Sequence, residues 1–522
     1  MLNRRQFLHS TAAAPALSSS AGAPPNIILV MTDQHRAGLT RASGFPLDTM
    51  PTLDRMAAGG AAFHRAYTTS PLCVPARTSL LTGRGPHAHR VRQNSAPKAA
   101  VFDKDLFQTC RSLGYRTALC GKNHSYLTPA SVDFWRAYGH LDGFIPPGAS
   151  PQSKDFTAWM QHENFRTGAT PTPFPAELQF PHRIVSDSIE FISQSPSQPF
   201  ALWVSFPEPH NPYQVPKPYF DLFPPDQVPP RAVGPEALAN KGFKWQWLRQ
   251  LELSTYPDYD AHWRRTRSNY LGLLRLIDDQ LARLLQHLDS TGLRDNTILV
   301  FMSDHGDYFC EYGLERKGAE LPELLTRIPM AWTGPSIRPL RNTSDFVSIA
   351  DIFPTLCEAI GAPIPAGAQG RSLWPMLTGQ PYPAAEFESI YSEVGFGGMH
   401  YTSSDPIPAT WGRTGKPGVI PGYDELNPVT QSGNLKMVRL GDWKLTFDML
   451  GNAQLYHLAS DPYELKNLYN QPQAAEIQPR LLATLLQWTI RTQDDLPTAA
   501  YQSKRPAHNW YAPHRNPPPG TA

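Results

Sequence analysis

A single cysteine stands where a helix is expected to begin, in the stretch PLCVPARTSLLTGR over Pro71 to Arg84. Pro75 suits a first helical turn and Gly83 can end the helix, so Cys73 is predicted at the helix N-terminus. The free N–H groups and the dipole at that end attract anions and lower the pKa of a thiol. The stretch therefore predicts a reactive group facing an anionic substrate, unless Cys73 only packs under the helix as a small buried side chain.

Polar residues that suit a metal ion follow two apolar segments. NIILVMTDQHR carries Asp33 and Gln34 after its apolar run, and NTILVFMSDHGDYF carries Asp304 and His305. Continuous apolar runs predict buried strands of a parallel α/β sheet, which places its sites at the carboxyl ends of strands. Oxygen ligands with one imidazole favour calcium and also suit manganese or magnesium. We therefore expect a divalent metal site, although a single aspartate after a strand is more often a cap or turn former.

The elements around these segments indicate the fold class. Leucine and isoleucine recur at helical spacing over 273–288, and Gly292 ends that helix just before the second apolar segment. Helix and strand together indicate an α/β domain with a mostly parallel central sheet flanked by helices. Farther along, KMVRL, WKLTFDM and AQLYHL alternate as short strands before a final helix over 474–492. These segments predict a smaller antiparallel sheet.

Composition limits the compartment and the partners. The chain has 522 residues, a formal net charge of +2 and 18% charged residues, so no nucleic-acid partner is expected. No apolar run is long enough to span a bilayer. Residues 1–23 resemble a twin-arginine export signal, with Arg4 and Arg5 ahead of an alanine-rich stretch. This predicts an exported protein, periplasmic or extracellular. The five cysteines lack zinc-like spacing.

Four motifs, in order along the chain, resemble those of type I sulfatases. CVPARTSLLTGR resembles the signature whose cysteine is oxidised to formylglycine by a separate formylglycine-generating enzyme. GYRTALCGKNH, FPEPHNPY and SDHGDYFCEYGLERKG resemble three further catalytic segments of the family. The resemblance implies an alkaline phosphatase-like fold, with a catalytic domain over 24–383, a C-terminal subdomain over 384–502 and a proline-rich tail over 503–522. It also implies an enzyme that hydrolyses a sulfate ester.

The resemblance gives each matching residue a role. Arginine would fix the formylglycine diol, two lysines would neutralise the sulfate oxygens, one histidine would assist elimination of sulfate, and another would protonate the leaving alcohol. The catalytic residues implied are Cys73 as formylglycine precursor, Arg77, Lys122, His124, His210 and Lys317. The metal ligands expected for Ca²⁺, or for Mn²⁺ or Mg²⁺, are Asp33, Gln34, Asp304 and His305.

The chain departs from the common sulfatase pattern at three positions. Gln34 stands in place of an aspartate, Ala76 in place of a serine and Asn123 in place of a tryptophan. Asp-Gln with Asp-His is also similar to the formylglycine-dependent phosphonate monoester hydrolases and phosphodiesterases of the same superfamily. Two alternatives therefore stand beside the sulfatase: a phosphonate or phosphodiester hydrolase, and a catalytically silent protein that binds sulfated glycans.

The resemblance implies that the substrate is a sulfated small molecule or saccharide, and an aromatic insert bears on which of the two it is. The insert KGFKWQWLRQ contains Phe243, Trp245 and Trp247. Flat aromatic rings stack on sugar rings at little entropic cost. The insert therefore predicts a sulfated carbohydrate as substrate, unless its rings only pack the insert.

Overall fold

The computed structural model describes residues 23–194, 197–342, 344–397 and 400–493. The proline-rich tail and the export signal, apart from residue 23, lie outside the described residues, so both stay predictions. Within the described ranges, no helix combines the length and apolarity needed to cross a membrane.

The bounds of the regular elements are as follows. The strands are β1 (Asn26–Asp33), β2 (Ala61–Phe63), β3 (Ala66–Tyr67), β4 (Arg116–Lys122), β5 (Phe134–Tyr138), β6 (Phe200–Pro209), β7 (Thr297–Ser303), β8 (Arg327–Ile328), β9 (Met330–Thr333), β10 (Leu340–Asn342), β11 (Val347–Ser348), β12 (Ser389–Val394), β13 (Arg413–Thr414), β14 (Gly422–Tyr423), β15 (Leu435–Leu440), β16 (Trp443–Asp448) and β17 (Ala453–His457). The α-helices are α1 (Pro51–Gly59), α2 (Cys73–Thr82), α3 (Pro86–His89), α4 (Leu106–Ser112), α5 (Pro151–Glu163), α6 (Phe180–Ser193), α7 (Tyr219–Leu222), α8 (Phe243–Thr255), α9 (Tyr259–Ser290), α10 (Glu323–Thr326), α11 (Ile352–Ala359), α12 (Trp374–Thr378), α13 (Pro428–Gln431) and α14 (Ile477–Gln493).

A central eight-stranded, mostly parallel sheet positions the site. Its strand order is β10-β2-β9-β7-β1-β6-β4-β5, and β9 is the strand that runs antiparallel to its neighbours β2 and β7. The two apolar segments are the neighbours β1 and β7, paired in parallel with Met31 beside Met302. Both predicted strands are confirmed. Because they are adjacent and parallel, Asp33 and Asp304 meet at one edge of the sheet.

Helices cover both faces of this sheet. Along β1, Ile28 and Val30 pack on one side while Ile27, Leu29 and Met31 pack on the other. The first side meets α6 and α9, and the second meets α2, α4 and α11. Burial on both faces explains why the strands are continuous apolar runs instead of alternating ones. The predicted α/β class is confirmed.

A second, antiparallel sheet follows the central one. Its order is β12-β15-β16-β17, and its last three strands are those predicted from the sequence. Helix α14 packs on this sheet through Leu481, Leu485 and Trp488. The smaller antiparallel sheet is therefore confirmed, while the proposed boundary between 383 and 384 stays a prediction.

The aromatic insert does not provide a sugar-binding surface. It forms the start of α8, where Trp245 and Trp247 are each 2% exposed and pack with Leu248 and Tyr312 in an apolar cluster. Phe243 packs against the same cluster. These rings fold the insert onto the domain, so the expected stacking of Phe243, Trp245 and Trp247 on a sugar was wrong, and the prediction of a carbohydrate substrate needs support from other residues.

A buried ion cluster ties the second sheet to the catalytic part. The carboxylate of Glu323 accepts from Tyr67 Oη at 2.8 Å and from Arg439 Nη1 at 2.9 Å, and it lies 3.4 Å from Lys444 Nζ. Arg439 and Lys444 belong to β15 and β16, whereas Tyr67 belongs to β3. Burial raises the pKa of Glu323, but the nearby Arg439 and Lys444 outweigh it and lower the pKa to about 2.

Substituting Glu323→Gln should destabilise the protein by about 3 kcal/mol at neutral pH, because it removes the buried carboxylate that Arg439 and Lys444 share and leaves their charges only partly compensated by Asp442 and Glu464. The folded pKa lies below the ordinary value of 4.5, so the contribution is complete above about pH 4.5 and is lost as the pH falls towards 2. Urea unfolding at pH 7 and pH 4 measures both effects.

Asp221→Asn is the matched control, because it breaks an ion pair with Lys217 whose side chains are 60% and 69% exposed. That change should cost less than about 0.5 kcal/mol. Equal unfolding midpoints for the two variants would contradict the stabilising role of the Glu323 cluster.

Candidate active site

Cys73 is the first residue of α2, as predicted. The residue before it is extended, and Gly83, in the left-handed region at φ +64°, ends the helix by donating its N–H to the Ser79 carbonyl. All five cysteines are buried free thiols. The Cys73 thiol alone among them lies in a polar cluster, with Sγ 3.6 Å from Asp33 Oδ1 and 3.2 Å from His305 Nε2. The arrangement favours the reactive over the packing role for this cysteine.

Arg77 holds together the carboxylates at the ends of β1 and β7. Its Nη2 donates to Asp33 Oδ2 at 3.0 Å and its Nε donates to Asp304 Oδ2 at 2.9 Å, and none of the three side chains is exposed. Its Nη1 donates to Ser205 Oγ at 2.8 Å. Burial lowers the pKa of Arg77, but Asp304 and Asp33 outweigh it, so the pKa is raised. Arg77 is thus a permanently charged brace for the site.

The donor set at this point fits a divalent metal ion. Ligand atoms of Asp33, Cys73, Asp304 and His305 all lie within 4.8 Å of one another, and all four residues are buried. His305 Nδ1 donates to the Gly306 carbonyl at 2.9 Å, which leaves Nε2 directed to the cluster. Two buried carboxylates with one imidazole suit a hard cation. Three of the four predicted ligands are therefore brought together with Cys73.

The fourth predicted ligand, Gln34, lies beside this cluster and makes other contacts. Its Oε1 accepts from Lys317 Nζ at 2.7 Å, and its Nε2 donates to Asp307 Oδ2 at 2.6 Å. Tyr213 Oη donates to the same Asp307 oxygen at 2.9 Å. Burial raises the pKa of Asp307 to about 6. Sequence analysis missed Asp307, although its place in SDHGD, two residues after His305, was a signal.

Two lysines bring positive charge close to Cys73. Lys122 Nζ donates to Asp33 Oδ2 and to His140 Nε2, the second at 2.8 Å. Lys317 Nζ donates to His210 Nε2 at 3.0 Å. Burial and Asp33 raise the pKa of the Cys73 thiol, but Lys122, Lys317 and His305 outweigh them and lower it. The site is therefore set to stabilise negative charge at Cys73 and on a bound anion.

The predicted histidines line the same site. His210 Nδ1 donates to the Asn211 carbonyl at 2.7 Å, and burial with His140 and Lys317 keeps the pKa of His210 well below its usual range. Burial and Lys122 also keep the pKa of His124 well below its usual range. His140 was missed by sequence analysis; it follows β5, which the sequence did not predict, and its position at the carboxyl end of a parallel strand was the available signal.

A cavity of about 590 Å³ opens over Cys73. Its lining includes the site residues Cys73, His124, His140, His210 and Lys317. The rest of its wall includes the side chains of Phe165, Phe396, Tyr423, Asp424, Glu425 and Gln431. Most of that wall comes from the segment between β12 and β15, so the C-terminal part of the chain shapes the entrance to the site.

Comparison with known proteins agrees with this geometry. The family model described as Sulfatase matches residues 25–362. An arylsulfatase of Clostridium perfringens is 26% identical over 479 residues, which covers 87% of this chain and 92% of the relative. A delta 4,5-hexuronate-2-O-sulfatase of Bacteroides thetaiotaomicron is 24% identical over 511 residues, which covers 92% of this chain and 91% of the relative.

A solved structure shows the same fold. The phosphonate monoester hydrolase of Agrobacterium radiobacter superposes with a TM-score of 0.71 at 24% identity, covering 92% of this chain and all of that one. The structural match and the two sequence matches each cover about nine tenths of this chain. Because the family model spans well over half of the sequence, this chain belongs to the sulfatase family.

Proposed function

We propose that this sulfatase hydrolyses a sulfate ester of a carbohydrate, with a formylglycine formed from Cys73 as nucleophile and a divalent cation beside it. Sulfatases generally use a divalent metal and formylglycine. The observation that carries the proposal is the position of Cys73 at a helix start, beside the buried Asp33–Arg77–Asp304 cluster and near the buried side chains of Lys122 and Lys317. Carboxylates and cations gathered around one thiol match a nucleophile that attacks a bound anion.

Formylglycine as its hydrate supplies one hydroxyl to attack the sulfur and a second to release the sulfate afterwards. The residues of this chain bind and orient around that group. Arg77 fixes it from the next turn of α2, while Lys122 and Lys317 bind the sulfate oxygens and offset their charge in the transition state. His124, which lines the cavity, assists the release of sulfate.

The leaving alcohol needs a proton, and we assign it to the Lys317–His210 pair. His210 carries its hydrogen on Nδ1, bonded to Asn211, so its Nε2 is an acceptor for Lys317. Burial lowers the pKa of Lys317, but Cys73, Glu425 and the other carboxylates of the site outweigh it, so the pKa is raised overall. The lysine is therefore protonated at rest. As the bond between sulfur and the alcohol oxygen breaks, a proton from Lys317 Nζ passes through His210 Nε2 to that oxygen, and the proton lost by the attacking hydroxyl replaces it.

Asp33, Asp304 and His305 would hold the metal. Gln34 would be a fourth ligand if its Oε1, which accepts from Lys317 here, bound the ion instead. A bound cation acts as a Lewis acid that favours the ionised nucleophile and the polarised ester. Two carboxylates and an amide favour calcium, with manganese and magnesium as alternatives.

A phosphonate monoester or phosphodiester hydrolase is the second candidate. The observations that favour it are the Asp33-Gln34 and Asp304-His305 pairs and the fold shared with a phosphonate monoester hydrolase. Phosphonate and sulfate monoesters carry the same charge, and both would bind Lys122 and Lys317. The sulfatase sequence matches favour sulfate.

We also propose how the chain matures. A formylglycine-generating enzyme would modify Cys73, and residues 1–23 would export the protein to the periplasm or beyond. The catalytic domain would span 24–383 and the C-terminal subdomain 384–502, with the proline-rich tail after it.

The carbohydrate proposal now rests on the cavity wall, where the partly exposed Phe165 and Phe396 offer flat rings to a sugar. A panel of defined sulfated mono- and oligosaccharides, assayed for released sulfate, should contain at least one substrate. Its kcat/KM should exceed that of a simple aryl sulfate. Release from the aryl sulfate alone, with none from any saccharide, would contradict the proposed substrate class.

Activity should track the fraction of Cys73 that is formylglycine, because a thiol cannot both attack sulfur and regenerate itself. Mass spectrometry of the Cys73 peptide, beside kinetics on the same preparation, measures this. Cys73→Ala should fold and bind sulfate but show no multiple turnover. Cys310→Ala, which removes a buried thiol outside the cluster, is the control and should retain activity. Full activity with Cys73 entirely a thiol would contradict the mechanism.

Metal affinity should depend on the charged ligands. Asp304→Asn should lower divalent metal content at least about tenfold, because it removes one of two carboxylates, whereas Gln34→Glu should retain the metal. Elemental analysis of the purified variants, after dialysis against trace calcium, compares them. Equal occupancy in both would contradict the proposed ligand set.

A further inference from the structure

His140 contacts Lys122 and also stacks on His210, the partner of Lys317. Its Nε2 is 2.8 Å from Lys122 Nζ, and its ring stacks on that of His210 with centroids 3.8 Å apart and planes 26° apart. His124 and Phe165 approach the same ring edge-on, at 5.3 and 6.0 Å. His140 thus touches one sulfate-binding lysine and one proton-handling histidine at once.

The hydrogen-bond chemistry fixes the state of this ring. An ammonium group only donates, so His140 Nε2 accepts from Lys122 and carries no hydrogen. Burial and Lys122 keep the pKa of His140 well below its usual range, so the ring is neutral with its hydrogen on Nδ1. Among the described residues, Nδ1 has no hydrogen-bond partner. Burying the Nδ1–H without a partner costs free energy, and an apolar ring would fill the same space without that cost. The imidazole is therefore needed for its Nε2 acceptor.

A neutral acceptor suits Lys122 better than a second carboxylate. Lys122 already donates to Asp33, which compensates part of its charge. An acid at position 140 would cancel the rest, whereas an imidazole directs the ammonium and leaves its charge for a bound anion. Without an acceptor at 140, Lys122 would turn fully to Asp33 and away from the anion.

The stack acts on His210 in a complementary way. The two nitrogens of His210 are already engaged, Nδ1 with the Asn211 carbonyl and Nε2 with Lys317. Contact with the face of His140 removes the remaining freedom to tilt. His140 is therefore placed to align the imidazole whose Nε2 must meet the leaving alcohol.

We propose, resting on the function proposed above, that His140 is a positioning residue that holds the Lys122 ammonium towards the substrate anion through Nε2 and aligns His210 through its ring. Its two contacts serve different steps. Loss of the Nε2 acceptor should weaken anion binding, and loss of the ring should slow turnover.

Three variants separate the two contacts. His140→Gln places an amide oxygen near the Nε2 position without a ring, His140→Phe keeps a ring without an acceptor, and His140→Asn has neither at the right place. The readouts are kcat for the best ester substrate, the inhibition constant of inorganic sulfate and the thermal unfolding midpoint.

The inhibition constant for sulfate should rise about tenfold or more in His140→Phe and His140→Asn and stay within about threefold of wild type in His140→Gln. In contrast, kcat should fall more in His140→Gln than in His140→Phe. A uniform change in all three variants that follows the loss of thermal stability would overturn the proposal, as would wild-type sulfate affinity in His140→Phe.

The outcome is separable from that of the proposed function. If wild-type protein hydrolyses no sulfate ester, the proposed function fails, and calorimetric binding of inorganic sulfate and inorganic phosphate to the same three variants still tests the positioning role. Affinity retained in His140→Gln and lost in His140→Phe supports it, and equal affinities contradict it.

Discussion

The site depends on one constraint, which is the compensation of two fully buried carboxylates at the ends of adjacent parallel strands. Asp33 and Asp304 share Arg77, whose guanidinium bonds to both. Buried charges persist only when paired and hydrogen-bonded, so the arginine must reach this point. Because Cys73 precedes Arg77 by four residues on α2, the two side chains lie on the same helical face. The ion pairs that neutralise the carboxylates therefore also place Cys73, the proposed precursor of the nucleophile.

Charge is ordered around Cys73 as a catalyst for anion transfer requires. Two carboxylates and His305 lie within 4.8 Å of the thiol, where a cation fits, and Lys122 and Lys317 add the positive charge that an anion needs. The two groups are linked, since Lys122 donates to Asp33 and Lys317 to Gln34. Binding a metal and an ester would draw on the same partners, so the resting contacts hold the groups near the positions that catalysis needs.

Local patterns in the sequence predicted much of this arrangement. The apolar runs gave β1 and β7, and the proline and glycine around Cys73 gave the start and end of α2. Lys122, His210 and Lys317 came from family resemblance, because nothing local distinguishes them from surface residues. Trp245 and Trp247 were assigned to sugar stacking and instead pack in the core, because aromatic residues in a short insert have the same sequence pattern in both cases. His140 and the cavity wall from the C-terminal segment were missed, since contacts between distant residues are not visible in one sequence. Asp307 was missed although it lies in SDHGD, two residues after His305.

We propose above that the residues around Cys73 transfer sulfate in preference to a phosphonate group. The most direct measurement is competition between a sulfate monoester and a phosphonate monoester of the same alcohol, with metal-loaded protein whose conversion of Cys73 has been quantified. The two esters match in charge and leaving group, so the ratio of kcat/KM values isolates the transferred group. We expect a ratio of at least about tenfold in favour of sulfate, which corresponds to a difference of about 1.4 kcal/mol in transition-state free energy. A preference for the phosphonate ester would contradict it and favour the phosphonate monoester hydrolase.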